Sequence, residues 1–409
     1  MRARSVDIAA LSAEEKRGLL SRLLKEKAEA SASAHPVSYG QRSMWFLHHL
    51  APGSPAYTIT YAGRISGDLD VPALERAAQA LVDRHAMLRT TYAVRDGQPV
   101  QLVHPRWRVR IARHDVGPDE GEFDQWLRWE SNRPFDLEAG PVFRLSLARR
   151  APHEHLLVLV VHHIAVDFWS IDVILDELRL LYAAQHGAEP PPRCPDAYVD
   201  HADRQIRTLA GEEGERLWNF WRRQLAGDLP VIELPMDRPR RLAQTYRGAV
   251  HRFTVDDRLT AALKKIGRGA GATPYMTLLA VYASLLHRYS GQDDIPIGSP
   301  FAGREQAGTE GVVGYFANPL VLRADLHGDP TFASLLGRVK RMVLDALAHQ
   351  DYPFTLLVER LKPVRDAAHA PLFQVSFAWE QHRRFREEQC GTDVASGRAA
   401  LDLRTVHIG

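Results

Sequence analysis

Leu156-Leu157-Val158-Leu159-Val160-Val161-His162-His163-Ile164-Ala165-Val166-Asp167-Phe168-Trp169-Ser170 is the stretch from which the fold can be read. Its first six residues are aliphatic and half of them are β-branched, as in a strand buried on both faces. Beyond it, Ile171, Val173, Ile174, Leu175, Leu178, Leu180 and Leu181 follow helical spacing, with Ser170 as the expected N-cap. A strand therefore leaves the core at HHxxxDxxS and a helix starts there. Successive strand residues face opposite ways, so His162 and His163 cannot enter the same cleft, and one of them is expected to serve structure. A His pair alone at a strand end is more often packed than catalytic. Asp167 alters that balance, because a carboxylate four residues on can orient a ring or pin the loop through an arginine.

Outward from this point the pattern alternates. Val71 to His85 predicts an amphipathic helix with Pro72 in its first turn, and Leu88–Val94 and Val100–Val103 predict strands around the turn Asp96-Gly97. Pro141 to Leu147 leads into another strand. The connector Glu189-Pro190-Pro191-Pro192 is the best candidate boundary. Past it, Trp218, Phe220, Trp221 and Leu225 mark a helix, Thr273–Arg288 a long buried helix, and Phe332–His349 another. Ile295–Phe301, Leu320–Ala324 and Leu372–Trp379 read as strands. The fold class expected is α/β (α+β), with similar αβ layers in both halves.

A chain of 409 residues exceeds what one core usually serves. The expected organisation is an N-terminal docking and linker helix over 1–34, one subdomain over 35–188 and a second over 189–409. The first rests on the capping box Ser12-Ala13-Glu14-Glu15, the stripe Leu19, Leu20, Leu23, Leu24, and the small residues from Ala28 to Ala34. A helix that merely packs on its own domain is the alternative. The formal net charge of +2 argues against a dedicated nucleic-acid surface. Cys194 and Cys390 make neither a disulfide framework nor a zinc-ligand spacing, so no metal is expected and a reducing cytoplasm fits. No secretory signal and no membrane span are read.

Seven ordered segments resemble the condensation domain of nonribosomal peptide synthetases, from Ser38 to Leu372. Ser38 to Leu47 is similar to SxxQxxxWxL, Arg84 to Tyr92 to RHxxLRTxF, and His162 to Ser170 to the HHxxxD active-site motif. Tyr198 to Ala202 resembles YxDYA, Gly314 to Leu320 GxFxNxL, His349 to Phe354 HQDxPF, and Arg365 to Leu372 RDxSxxPL. The resemblance implies two subdomains like chloramphenicol acetyltransferase, set in a V with a central tunnel and the histidines midway along it. It implies an acyltransferase that joins a carrier-bound acyl thioester to a carrier-bound aminoacyl amine. The cofactor is then none bound covalently: phosphopantetheine arms of partner carrier proteins arrive as substrates. The partners implied are upstream donor and downstream acceptor carriers and an adenylation domain of the same assembly line.

Aminolysis of a thioester needs an uncharged amine, a hydrogen-bond acceptor near the attacking nitrogen and donors for the developing oxyanion. The resemblance gives His163 the acceptor role, as base or as positioning group, with His162 anchoring the loop. It pairs Asp167 with Arg304 as a structural ion pair and makes Ser170 a cap rather than a nucleophile; no GxSxG elbow supports an acyl-enzyme. Phe168 departs from the family, which usually has Gly there, and so predicts a reshaped channel selecting a fatty or polyketide donor; the alternative is simple packing at the subdomain seam. Trp169 and Asn318 are the other expected channel residues. The intact histidine pair disfavours heterocyclising and non-catalytic recruiting relatives, and His349 to Phe354 disfavours an epimerising one. A chain-initiating fatty-acyl version and a freestanding ester- or amide-forming acyltransferase are the alternatives. The resemblance also implies that the C-terminal subdomain is truncated, with Gln381 to Glu388 as a crossover between subdomains.

Overall fold

The apolar run becomes the middle strand of a five-stranded sheet. The computed structural model describes residues 31–117, 119–192, 197–238, 248–363, 369–380 and 404–405, together with Ser12 and Lys16. The docking helix expected after Ser12 and the crossover expected over Gln381–Glu388 lie outside the described residues. The N-terminal half carries β1 (Ser33–Pro36), α1 (Tyr39–Leu50), β2 (Thr58–Ser66), α2 (Val71–Arg84), β3 (Thr90–Arg95) and β4 (Gln98–Val103). It continues with β5 (Ile111–Asp115), α3 (Glu120–Asn132), β6 (Phe143–Ala151), β7 (Glu154–His162) and α4 (Phe168–Ala184). Then come α5 (Tyr198–Leu209), α6 (Glu212–Gln224), α7 (Asp257–Gly269), α8 (Pro274–Ser290), β8 (Asp294–Phe301) and β9 (Asn318–Asp325). The described elements close with α9 (Phe332–Leu347), α10 (Phe354–Leu361), β10 (Val375–Ser376) and β11 (Arg404–Thr405).

The large sheet has the order β11-β2-β7-β6-β5, and β7 runs antiparallel to both of its neighbours. Every residue of β7 after Glu154 is buried, which accounts for its unbroken apolar character. A fully buried aliphatic side chain contributes roughly 1.5–3 kcal/mol, so this strand anchors the first core. β1, β4 and β3 form a second sheet, in which Asp96 and Gly97 both take left-handed backbone angles and close a two-residue hairpin. β1 starts at Ser33, within the segment expected as linker, because Ser33 to Pro36 pair with Val103 to Val100. β10, β8 and β9 make the third sheet.

Two apolar cores result. The first gathers α2, α3, α4 and the large sheet; the second gathers α6, α8, α9, α10 and the third sheet. Tyr198, Val312, Val313, Tyr315 and Phe316, all beyond the proline-rich connector, nevertheless pack into the first core. Two expected strands come out shorter. Ala86–Arg89 is a 3-10 turn ahead of β3, and only Val375 and Ser376 of the Leu372–Trp379 run pair with β8. There the chain turns at Leu372, whose φ is 68°. Among the described residues no helix is long and apolar enough to cross a membrane, and no group of His, Cys, Asp or Glu is arranged to hold a metal ion.

Candidate active site

β7 ends on His162 and delivers the two histidines into different surroundings. His162 is buried, 4% exposed, with the rings of His48 and Phe135 edge-on to it at 5.3 and 6.0 Å. Its Nδ1 accepts the Ile164 N–H at 3.1 Å, so this nitrogen is unprotonated. Burial, reinforced by neighbouring His48 and His163, pushes its pKa down to about 3. His162 is therefore neutral at any ordinary pH.

His163 is half-buried, and its backbone N–H donates to the Tyr57 carbonyl at 2.8 Å. Its Nδ1 lies 2.7 Å from the Val166 carbonyl oxygen, which can only accept. Nδ1 must then carry a proton, so in the neutral ring it is Nε2 that offers the lone pair as acceptor. The neighbouring imidazoles hold opposite tautomers. Phe168 and Tyr315 stand edge-on to the His163 ring, at 5.9 and 5.1 Å between centroids.

Behind this loop lies a buried ionic knot. Arg304 Nη2 donates to both Asp167 oxygens, at 2.9 and 3.2 Å, and to Ser170 Oγ at 2.8 Å. Its Nη1 donates to the carbonyls of Thr309 and Val312, both at 2.6 Å, and its guanidinium sits 4.1 Å from the Phe316 ring centre. Asp167 also accepts the N–H of Ser170 at 2.8 Å and of Phe316 at 3.2 Å. These bonds correct the expected cap. Asp167, with extended backbone, is the N-cap of α4, and Ser170 sits one turn inside, where its hydroxyl takes the Gly314 N–H at 3.0 Å. The shift has a simple cause: both side chains can cap, and the one whose backbone is still extended does so.

Phe168 opens α4 and is 58% exposed, so it does not pack into a seam. Trp169 is partly buried, and its indole N–H donates to the Glu310 carbonyl at 2.9 Å while Arg304 lies 5.7 Å from its ring. Asn318 is placed apart from this group. Its amide donates to the carbonyls of Gln350 and Tyr352, both at 2.8 Å, and accepts the Phe354 N–H at 2.9 Å, which fixes the turn before α10. The structure thus brings His162, His163, Asp167, Phe168, Trp169, Ser170 and Arg304 together and assigns Asn318 to a neighbouring turn.

Several framework residues acquire a local reason. Ser38 and Gln41 form a capping box at α1; Ser38 Oγ also meets the Tyr198 hydroxyl at 2.8 Å, and Gln41 Nε2 donates to the Ile164 carbonyl at 3.2 Å. Tyr198 donates to the Tyr315 carbonyl at 2.6 Å. Tyr315 and Gly40 were not predicted from sequence as site residues. The available signal was Gly40 itself, a glycine inside a helix, where close approach of another group is the usual reason.

A two-cored αβ molecule presenting HHxxxD at a strand end has the make-up of a histidine-dependent acyltransferase. A sequence model of the Condensation domain family matches residues 31–398, and the chain belongs to that family, whose members form amide bonds by acyl transfer in nonribosomal peptide synthetases. A linear gramicidin synthase subunit from Brevibacillus parabrevis is 40% identical over 389 residues, covering 91% of this chain and 5% of that protein. Phosphinothricin tripeptide synthetase PhsB of Streptomyces viridochromogenes is 38% identical over 390 residues, covering 91% of this chain and 33% of that protein. The chain thus spans a third or less of these relatives. Among solved structures, the X-domain from teicoplanin biosynthesis superposes with a TM-score of 0.76 at 31% identity, covering 83% of this chain and 76% of that one.

Proposed function

We propose that this domain joins an acyl group, delivered as a thioester on one carrier protein's phosphopantetheine arm, to the amine of an aminoacyl group on a second carrier. The carriers, and the adenylation domain that loads them, belong to the same cytoplasmic assembly line. The amine nitrogen attacks the thioester carbonyl, the carbon–sulfur bond breaks, and the proton lost by nitrogen leaves with the departing thiol. His163 Nε2 accepts the hydrogen bond from the attacking amine. The observation that carries this reading is the Nδ1–H to Val166 hydrogen bond, which leaves that lone pair available. His162 has no such role, because its buried ring is occupied by the Ile164 N–H. The Asp167–Arg304 pair shapes the loop and takes no part in proton transfer. Two tethered and oriented reactants supply much of the rate, on the order of 7–11 kcal/mol for well-aligned pairs.

Incubation with acyl-carrier donors and either aminoacyl-carrier acceptors or free amines, read by intact mass spectrometry, tests this reading. The acceptor carrier should gain the acyl mass, and His163→Ala should slow that gain by about 10²–10⁴-fold. Acylation of free amines alone would point to a freestanding acyltransferase. An undiminished rate in His163→Ala would remove the histidine from the reaction.

A further inference from the structure

The imidazole of His163 is held by one side-chain hydrogen bond, which leaves the ring free to tilt about the Nδ1···O line. Two rings flank the imidazole, the exposed Phe168 at 5.9 Å and, nearer, the buried Tyr315, edge-on at 5.1 Å with an interplanar angle of 76°. Tyr315 is itself buried in a segment clamped along its backbone. The Asp167 N–H donates to the Gly314 carbonyl at 3.1 Å, Ser170 Oγ takes the Gly314 N–H, Tyr198 donates to the Tyr315 carbonyl, and Asp167 takes the Phe316 N–H. Gly314 fits this clamp because a Cβ there would lie 2.1 Å from the Tyr198 ring. The Tyr315 ring also lies close against α1, where a Cβ at Gly40 would lie 2.7 Å from Cε1 and 3.1 Å from Cδ1. Gly40 lies in the first turn of α1, and its missing side chain leaves space there. That space is filled by Tyr315.

We propose that Tyr315 is a positioning residue for His163, and that Gly40 acts through it by leaving its ring room. The inference rests on the reading of His163 as the acceptor. It gives the Asp167–Arg304 knot a second duty, since the backbone that knot holds is the one that aims Tyr315. The ring carbons make the approach to Gly40 and the ring lies edge-on to His163, so phenylalanine should serve in its place.

The test uses Tyr315→Leu, Tyr315→Phe, Gly40→Ala and the Gly40→Ala/Tyr315→Leu double variant in the carrier-based assay, with urea unfolding alongside. Tyr315→Leu and Gly40→Ala should each lower kcat about tenfold at unchanged KM, and Tyr315→Phe should restore kcat to within about twofold of the parent. If Gly40 acts through Tyr315, the double variant will be no slower than Tyr315→Leu; losses that multiply to about a hundredfold overturn the proposal. The nitrogen-15 spectrum of the His163 ring, assigned by comparison with His163→Gln, should show one Nδ1–H tautomer in the parent and a broadened mixture in Tyr315→Leu. A ring spectrum identical in the two proteins also overturns it. Full activity in His163→Ala would sink the catalytic reading instead, while the ring spectrum would still report whether Tyr315 holds the imidazole.

Discussion

His162 and His163 are adjacent in sequence and opposite in chemistry, and the alternation of side chains along β7 is the reason. One ring faces the packed side against His48 and Phe135, accepting at Nδ1; the other faces Phe168 and Tyr315, donating at Nδ1. The buried ring makes a prediction about acid. An unfolded histidine gains its proton near pH 6.5, whereas His162 in the fold refuses one until about pH 3. Between those limits the unfolded chain binds more protons, so stability is complete above about pH 6.5 and falls as pH drops, by about 1.4 kcal/mol per unit. His201, lowered to about 4 chiefly by burial, adds in the same direction. Urea unfolding between pH 7.5 and 5 should therefore show a shallower acid loss in His162→Asn, which keeps an acceptor for the Ile164 N–H, than in the parent. Equal slopes would mean that the ring is not held neutral by the fold.

At the level of elements, the start of α4 shows how far local sequence reaches. The strand, the helix and the opposed histidines follow from periodicity over about two dozen residues. The choice of cap did not, because Asp167 and Ser170 are both good cap residues three positions apart, and the partners that hold Asp167, namely Arg304, Gly314 and Phe316, lie far off in sequence, Arg304 at 137 residues. Tyr315 was illegible for a related reason: its importance comes from facing Gly40 and His163 across two separations in sequence that no local pattern joins. Asn318, read from sequence as a channel residue, satisfies three backbone groups of the turn before α10, a use that short polar side chains find wherever a turn leaves carbonyls unpaired. Phe168, at the first turn of α4 beside the more buried Trp169, is the exposed ring of that turn and stands edge-on to His163. Phe168→Gly should shift the preference between long-chain and short acyl donors, measured as the ratio of their kcat/KM, by about tenfold, or roughly 1.4 kcal/mol. A ratio unchanged across chain lengths would take the ring out of donor selection.

On the scale of the whole molecule, the first core draws residues from beyond the proline-rich connector, which a boundary there does not convey. Val312, Val313, Tyr315 and Phe316 belong by sequence to the second half and by packing to the first core, and Arg304 reaches across to Asp167 beside them. β11 likewise returns from the C-terminal end to pair with β2 of the large sheet. By contrast, the Arg42–Glu359 pair between α1 and α10 is exposed at both ends and is worth about 0–1 kcal/mol. The buried loop and its ionic knot are therefore a stronger link between the halves than this exposed pair, beside the β11–β2 pairing and the Ser38–Tyr198 hydrogen bond. The parent should unfold as one unit: hydrogen exchange in rising urea should give the same midpoint for β7 peptides of the first core and β9 peptides of the second. Asp167→Ala leaves the Arg304 charge buried without its partner, at a cost of roughly 3–5 kcal/mol, and that cost falls on the shared loop. The two midpoints should then separate, with β9 persisting as the first core opens. Two separate midpoints already present in the parent would show instead that the halves fold independently, and that the knot serves the histidine loop alone.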